Sequence, residues 1–216
     1  MDLSNITVNT QSSIRIAGSQ ILYFDPFQID GKVQDADVIF VTHEHGDHFD
    51  PSSIAGIRKE GTILAAPESM KQKILDESGA RPGSCVFMRP GDTCSIGGIT
   101  VEAVPAYNRL KPFHQKKRGW LGYRVCMDGV TYYVAGDTDP VSEVRQVKSD
   151  VVLLPVGGYY TMDWKDAAQL ILQMRPAAAI PTHYGTIVGS PGDGESFREK
   201  VRAGNPDIQV ELKLQS

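Results

Sequence analysis

Three histidines and an aspartate fall within six residues, His43-Glu44-His45-Gly46-Asp47-His48, in a chain with five histidines in all. Neutral imidazole and carboxylate are the donors that zinc, iron or manganese take at roughly 2.0 to 2.2 Å. Several such donors meet at one point only from a tightly curled loop, and Gly46 permits that curl. The plain alternative is a solvated loop that happens to be His-rich, since a lone histidine is more often a surface or core residue than a ligand. Two distant residues weigh for metal. Asp137 and His183, like His43, each stand at the end of an apolar run: Val38 to Val41 leads into Thr42-His43, Thr131 to Ala135 into Gly136-Asp137, and Ala177 to Pro181 into Thr182-His183. Such runs suit strands buried on both faces, and the loops at their ends could converge.

The six-residue segment resembles the H-x-H-x-D-H signature of the metallo-β-lactamase fold superfamily, and Ala135-Gly136-Asp137-Thr138 and Pro181-Thr182-His183-Tyr184-Gly185 resemble its downstream ligand motifs. The likeness runs through most of the chain. Phe24-Asp25-Pro26-Phe27, Leu154-Pro155-Val156-Gly157-Gly158 and Tyr160-Thr161-Met162 resemble the subgroup of hydrolases related to ascorbate-6-phosphate lactonase. The resemblance implies an α/β (α+β) fold, a four-layer αββα sandwich with a metal cleft at one edge. It implies His43 and His45 on one metal, Asp47, His48 and His183 on the second, Asp137 bridging both, and Asp25 orienting a ligand imidazole from behind. One or two divalent transition-metal ions are expected, Zn2+ first, with Mn2+ or Fe2+ as alternatives.

The chain departs from that pattern in one place. The superfamily usually supplies a third histidine to the first metal just after the strand matching Thr100 to Ala106, where this sequence has Pro105-Ala106-Tyr107-Asn108. The remaining histidine, His114, has three readings: the missing ligand, an acid/base group, or a plain loop residue. If neither His114 nor Asn108 completes that site, a single ion held by Asp47, His48, Asp137 and His183 is the expectation.

Two cations sharing a water would lower its pKa and present hydroxide to an electrophilic carbon or phosphorus, with Asp47 orienting or deprotonating that water. The expected activity is hydrolysis of a small anionic lactone, ester or phosphodiester. Anionic character is suggested by Arg109, Lys111, His114, Lys116, Lys117 and Arg118 following a strand that should reach the cleft, although a solvated loop explains such a run equally well. Asn108, Arg109 and Tyr160 are the candidate substrate contacts. Gly157 and Gly158 could let backbone approach a ligand, or simply form a turn. Trp120 and Trp164 read as packing residues.

The elements that must position these groups are legible from pattern. Strands are expected at Ile6 to Val8, Ser13 to Ile16, Gln20 to Phe24 and Val38 to Val41, then a short helix from Pro51, a strand at Thr62 to Ala65 and a helix opened by Pro67. Cys85 to Met88, Thr93 to Ile96, Ile99 to Ala106, Gly122 to Met127 and Val130 to Ala135 follow as strands, the last two joined by the hairpin signal Asp128-Gly129. Strand Val151 to Pro155, helix Asp163 to Met174, strand Ala177 to Pro181, helix Ser196 to Ala203 and strand Ile208 to Leu212 close the chain.

Composition sets the outer limits. The 216 residues, 41% hydrophobic and 22% charged, suit one metallo-hydrolase domain over 1–216. A net charge of -4 argues against a nucleic-acid surface, and no apolar stretch approaches a membrane span. Cys85, Cys94 and Cys126 form no C-x-x-C pair, and the start Met1-Asp2-Leu3 has no signal-peptide character, so a cytoplasmic protein is expected. A diiron oxygen-reducing role would want a carboxylate at His45 and a flavin domain; a nuclease would want an added clamping domain. From another class, a metal-binding or metabolite-sensing protein with little or no turnover is the alternative, raised by the absent third histidine.

Overall fold

The computed structural model describes residues 1–214. The first half builds a six-stranded sheet from β1 (Ile6–Val8), β2 (Ile14–Ala17), β3 (Ile21–Phe24), β4 (Ala36–Phe40), β5 (Arg58–Pro67) and β6 (Cys85–Met88), paired in chain order. β1 to β3 form an antiparallel meander, and β3 to β6 run parallel, with α1 (Pro51–Ile57) and α2 (Lys71–Glu77) as crossovers. The second half repeats this plan. β7 (Thr93–Ile96), β8 (Ile99–Pro105), β9 (Leu121–Met127) and β10 (Val130–Val134) are antiparallel neighbours, and β10 continues in parallel to β11 (Val151–Pro155), β12 (Ala178–Thr182) and β13 (Gln209–Val210). Its crossovers are α3 (Ser142–Gln146), α4 (Trp164–Met174) and α5 (Asp193–Gly204).

Local chemistry explains several boundaries. Asp128 and Gly129 both take positive φ, 54° and 77°, as a two-residue hairpin requires, and join β9 to β10. Asp50 and Asp163 cap α1 and α4, the latter accepting from the Lys165 and Asp166 amides at 2.9 Å.

Three apolar clusters define four layers. Val38 and Phe40 of β4, Tyr123 and Val125 of β9, Val134 of β10 and Ile180 of β12 belong to a core shared by the two sheets. The alternate residues Ile39 and Leu64 pack beneath Ile54 of α1 and Ile74 of α2, while Tyr133, Val152 and Ala179 pack beneath Val144 of α3, Leu170 of α4 and Phe197 of α5. The central strands are thus covered on both faces, which is why they read as continuous apolar runs.

Some elements differ from expectation. β5 is longer than Thr62 to Ala65 and includes Pro67, and the helix expected after Pro67 starts with a 3-10 turn, Glu68–Met70, that runs directly into α2 at Lys71. α5 begins at Asp193 rather than Ser196, because Ser190 and Gly192 turn the chain into it earlier. β13 is limited to Gln209–Val210. The five-residue α3 is too short to show a helical period in sequence. Among the described residues no helix is long and apolar enough to cross a membrane.

Candidate metal centre

Asp25, just past β3, is the buried anchor of the site. Its carboxylate accepts from the Thr42 amide at 2.7 Å and the Thr42 hydroxyl at 2.6 Å, and its Oδ2 lies 2.7 Å from His48 Nδ1. Thr42 Oγ1, committed as donor to Asp25, can accept from His43 Nδ1 at 3.0 Å. Both imidazoles are therefore held through Nδ1 with Nε2 turned inward, so that Nε2, once free of any proton, offers its lone pair to a cation. His45 to Phe49 wind into a turn in which the His45 carbonyl accepts from the amides of His48 and Phe49 at 3.0 and 2.8 Å.

Asp137 and His183 arrive from the ends of β10 and β12. Gly136 has φ of 63°, and a Cβ there would sit 3.0 Å from the Leu121 carbonyl and 3.1 Å from Thr42, so a glycine brings Asp137 against the His43 segment. His183 itself has φ of 56°, a left-handed conformation that costs a non-glycine residue energy and is typically retained where function demands it. Its amide donates to the Gln11 carbonyl at 2.9 Å. A Cβ on Gly157 would lie 2.3 Å from the His183 carbonyl oxygen, so that glycine serves close packing against the His183 turn rather than approach to a ligand.

The side chains converge in two groups whose donor atoms lie within 4.8 Å of one another: His43, His45, His114 and Asp137, and Asp47, His48 and His183. Asp137 connects them. Its Oδ2 is 3.8 Å from His43 Nε2 and 3.2 Å from His114 Nε2, and its Oδ1 is 3.4 Å from His48 Nε2 and 3.6 Å from His183 Nε2. Asp47 Oδ2 is 3.1 Å from His183 Nε2 and 3.5 Å from His48 Nε2.

The donors fit a divalent cation. His48 Nε2, His114 Nε2 and Asp137 Oδ1 are buried without a hydrogen-bond partner, a costly arrangement unless something else satisfies them. His114 Nδ1 lies 2.9 Å from Asn108 Oδ1, which also accepts from the His114 amide at 3.1 Å. With Nδ1 as donor, the Nε2 lone pair faces a carboxylate oxygen, a repulsive contact that a cation between them would convert to attraction. Burial, reinforced by the neighbouring histidines, pushes His43 well below the usual imidazole range and His45 below it too, so both are neutral donors. Burial alone would raise the Asp137 and Asp47 carboxyls, but the surrounding histidines outweigh it and hold both well below the usual carboxylate range. For His48, burial is outweighed by Asp137 and Asp25, which raise its pKa well above the ordinary value.

His114, open to three readings from sequence, lies in one group with His43, His45 and Asp137. Asn108 and Arg109, expected on the substrate, are elsewhere. Asn108 is buried behind His114, its Nδ2 donating to Asp139 Oδ1 at 3.2 Å, and Arg109 lines a separate open groove with Leu110, Lys111 and Lys116. Tyr160 does line the cleft above the donors. Trp120 is buried against the imidazoles, its ring centroid 4.9 Å from that of His43 and 5.0 Å from that of His45, and Trp164 packs at the edge of the helical core. Sequence reasoning overlooked Asp139, which accepts from the Arg109 amide at 2.9 Å and pairs with Lys111 at 3.3 Å, and the cleft residues Phe113 and Ile187. Adjacency to His114 was an available signal for Phe113; Ile187 carried none.

A family model described as "Beta-lactamase superfamily domain" matches residues 4–184. A UPF0173 metal-dependent hydrolase of Archaeoglobus fulgidus is 31% identical over 223 residues, covering 95% of this chain and 94% of that protein. The crystal structure of a metal-dependent hydrolase from Parabacteroides distasonis superimposes with a TM-score of 0.79 at 30% identity, covering 97% of this chain and 93% of that one. The metallo hydrolase Igni18 of Ignicoccus hospitalis, 22% identical, shares the fold with a TM-score of 0.78 over 96% of this chain and 93% of its own. None of these descriptions specifies a substrate, so the lactonase likeness remains an expectation from sequence.

Proposed function

Because this chain belongs to the β-lactamase superfamily and, within it, to the UPF0173 metal-dependent hydrolases, we propose that it hydrolyses a small molecule at the His/Asp cluster, working as one domain over 1–216. The observation that supports this most is Asp137, whose two oxygens face two groups of imidazoles containing unpartnered buried donors. We assign His43, His45, His114 and Asp137 to one cation and Asp47, His48, His183 and Asp137 to a second. Nitrogen and oxygen donors without thiolate suit zinc, with manganese or iron as alternatives. When bound, such ions supply Lewis acidity and a water acidified towards neutrality, the nucleophile of hydrolysis.

The chain's own residues do the rest. Asp47 lines the cleft with 19% of its side chain exposed, more than Asp137 at 4%, and its carboxylate is kept ionised; it orients the attacking water and accepts its proton. Asp25 fixes His48 directly and His43 through Thr42. Asn108 fixes His114, whose inward nitrogen is then a ligand and not the general acid. Esters and lactones are the substrates this arrangement suits, with phosphodiesters as the comparison class. The sensing alternative was raised by an absent third histidine; His114 lying with His43, His45 and Asp137 supports the hydrolytic reading over it. Metal analysis combined with a panel of lactones, esters and phosphodiesters tests the reading. Metal-dependent turnover that Asp47→Ala and His183→Ala reduce by at least about a hundredfold is expected; full metal loading with no turnover sensitive to either substitution would overturn it.

A further inference from the structure

The cleft over the donor cluster is bounded by His45, Asp47, His114, Asp137 and His183 below and by Phe113, Tyr160 and Ile187 above, and its volume is about 290 Å³. Every wall residue outside the donor set is thus apolar or aromatic, and none is lysine or arginine. None of the lysines and arginines of the 109–118 segment lines this cleft, and three of them are paired to carboxylates. Lys111 pairs with Asp139 and contacts the Thr161 carbonyl, Lys116 pairs with Glu143 at 2.8 Å, and Arg118 pairs with Glu44 at 3.3 Å. Arg109 lines the separate groove.

The apolar wall is built, not incidental. Phe113 directly precedes His114, and its ring meets Tyr160 edge-on at a centroid distance of 4.7 Å and an interplanar angle of 81°. Tyr159 braces both rings, at 5.7 Å from Phe113 and 4.7 Å from Tyr160. Ile187 closes the other side, four residues beyond His183. Yet Phe113 is 38% exposed, Ile187 56% and Tyr159 71%. Water-exposed apolar surface concentrated at the mouth of a small polar-floored cleft is the usual signature of a ligand-binding wall.

We propose that this cleft selects an uncharged ester or lactone whose acyl group carries an aromatic or branched aliphatic substituent, seated against Phe113, Tyr160 and Ile187. The anionic substrate expected from the basic segment loses its basis, because no side-chain cation reaches the cleft to hold a distal phosphate or carboxylate. The inference rests on the hydrolytic reading given above. In the reaction, the oxygen of water bonds to the acyl carbon and the bond from that carbon to the leaving oxygen breaks. One proton of the water passes by way of Asp47 to the leaving oxygen, and the other is lost as the carboxylic acid ionises.

The test has a kinetic arm and a binding arm, both on zinc-loaded protein. p-Nitrophenyl phenylacetate is compared with its para-carboxylate analogue, which differs by one charge. Calorimetry compares phenylacetohydroxamate with acetohydroxamate, two chelators that differ in the group facing the wall. The uncharged ester should be preferred by roughly tenfold or more in kcat/KM, and the aryl hydroxamate should bind roughly tenfold more tightly. Both margins should collapse in Phe113→Ala and in Ile187→Ala, the latter at an exposed position that tolerates truncation. Preference for the carboxylated ester, or margins that survive both substitutions, would overturn the inference while leaving hydrolysis intact. A hydroxamate margin without turnover of any ester would instead uphold the apolar wall and overturn the hydrolytic reading.

Discussion

Asn108 Oδ1 accepts both the amide and the ring Nδ1–H of His114, at 3.1 and 2.9 Å, so one side-chain oxygen fixes the position and the tautomer of that imidazole. Asp139 holds Asn108 in turn through Nδ2. Groups behind a ligand imidazole typically contribute 10- to 100-fold in metal affinity. Asn108→Ala should therefore weaken one of two metal equivalents by about that factor and leave the other in place, as read by competition with a chromophoric chelator. Equal weakening of both, or of neither, would contradict the link between Asn108 and a single site.

Asp25 is expected to matter for folding before any metal binds. Its removal leaves the Thr42 amide, the Thr42 hydroxyl and His48 Nδ1 buried without an acceptor. Asp25→Ala should cost about 3 kcal/mol or more in urea unfolding of the metal-free protein, and Asp25→Asn, which keeps one acceptor oxygen, should cost less. A metal-free stability within about 0.5 kcal/mol of the parent would show that the network carries little energy.

Gly157 links packing to the site. A methyl group there meets the His183 carbonyl, so Gly157→Ala should destabilise by about 1 to 3 kcal/mol and weaken the site that includes His183. Gly83→Ala, where a Cβ meets nothing within 4 Å, is the control and should be near neutral in thermal unfolding.

Metal loading should release protons. In the metal-free protein Asp137 and Asp25 overcome burial and keep His48 protonated above the ordinary imidazole range. A raised pKa means that this group's contribution to metal-free stability is complete below about pH 6.5 and is lost as pH rises through its higher folded value. A cation competes with that proton for Nε2, so affinity should strengthen with rising pH over the same interval. Titration calorimetry at pH 7 in buffers of different ionisation enthalpy should give heats that differ by about one proton per protein; identical heats would contradict the assignment.

How far the sequence could be read depended on whether a signal was local. Strands β4, β10 and β12 were legible because burial on both faces makes them continuous apolar runs, and His43, Asp137 and His183 were legible because each closes such a run. The Asp128-Gly129 hairpin was legible from turn chemistry alone. His114 was ambiguous, since its placement depends on a loop folding back through Asn108 and Asp139, contacts 6 and 31 residues apart that leave no periodic trace. Basic residues in that loop suggested an anion site, but Lys111, Lys116 and Arg118 pair with Asp139, Glu143 and Glu44, which only tertiary structure reveals.

Hydrolysis at this centre depends on Asp137 joining two cation sites. Anomalous diffraction from zinc-loaded crystals tests this most directly: it should locate two ions, one among His43, His45 and His114 and one among Asp47, His48 and His183, each touching a different oxygen of Asp137. A single ion, or ions bound away from Asp137, would contradict it.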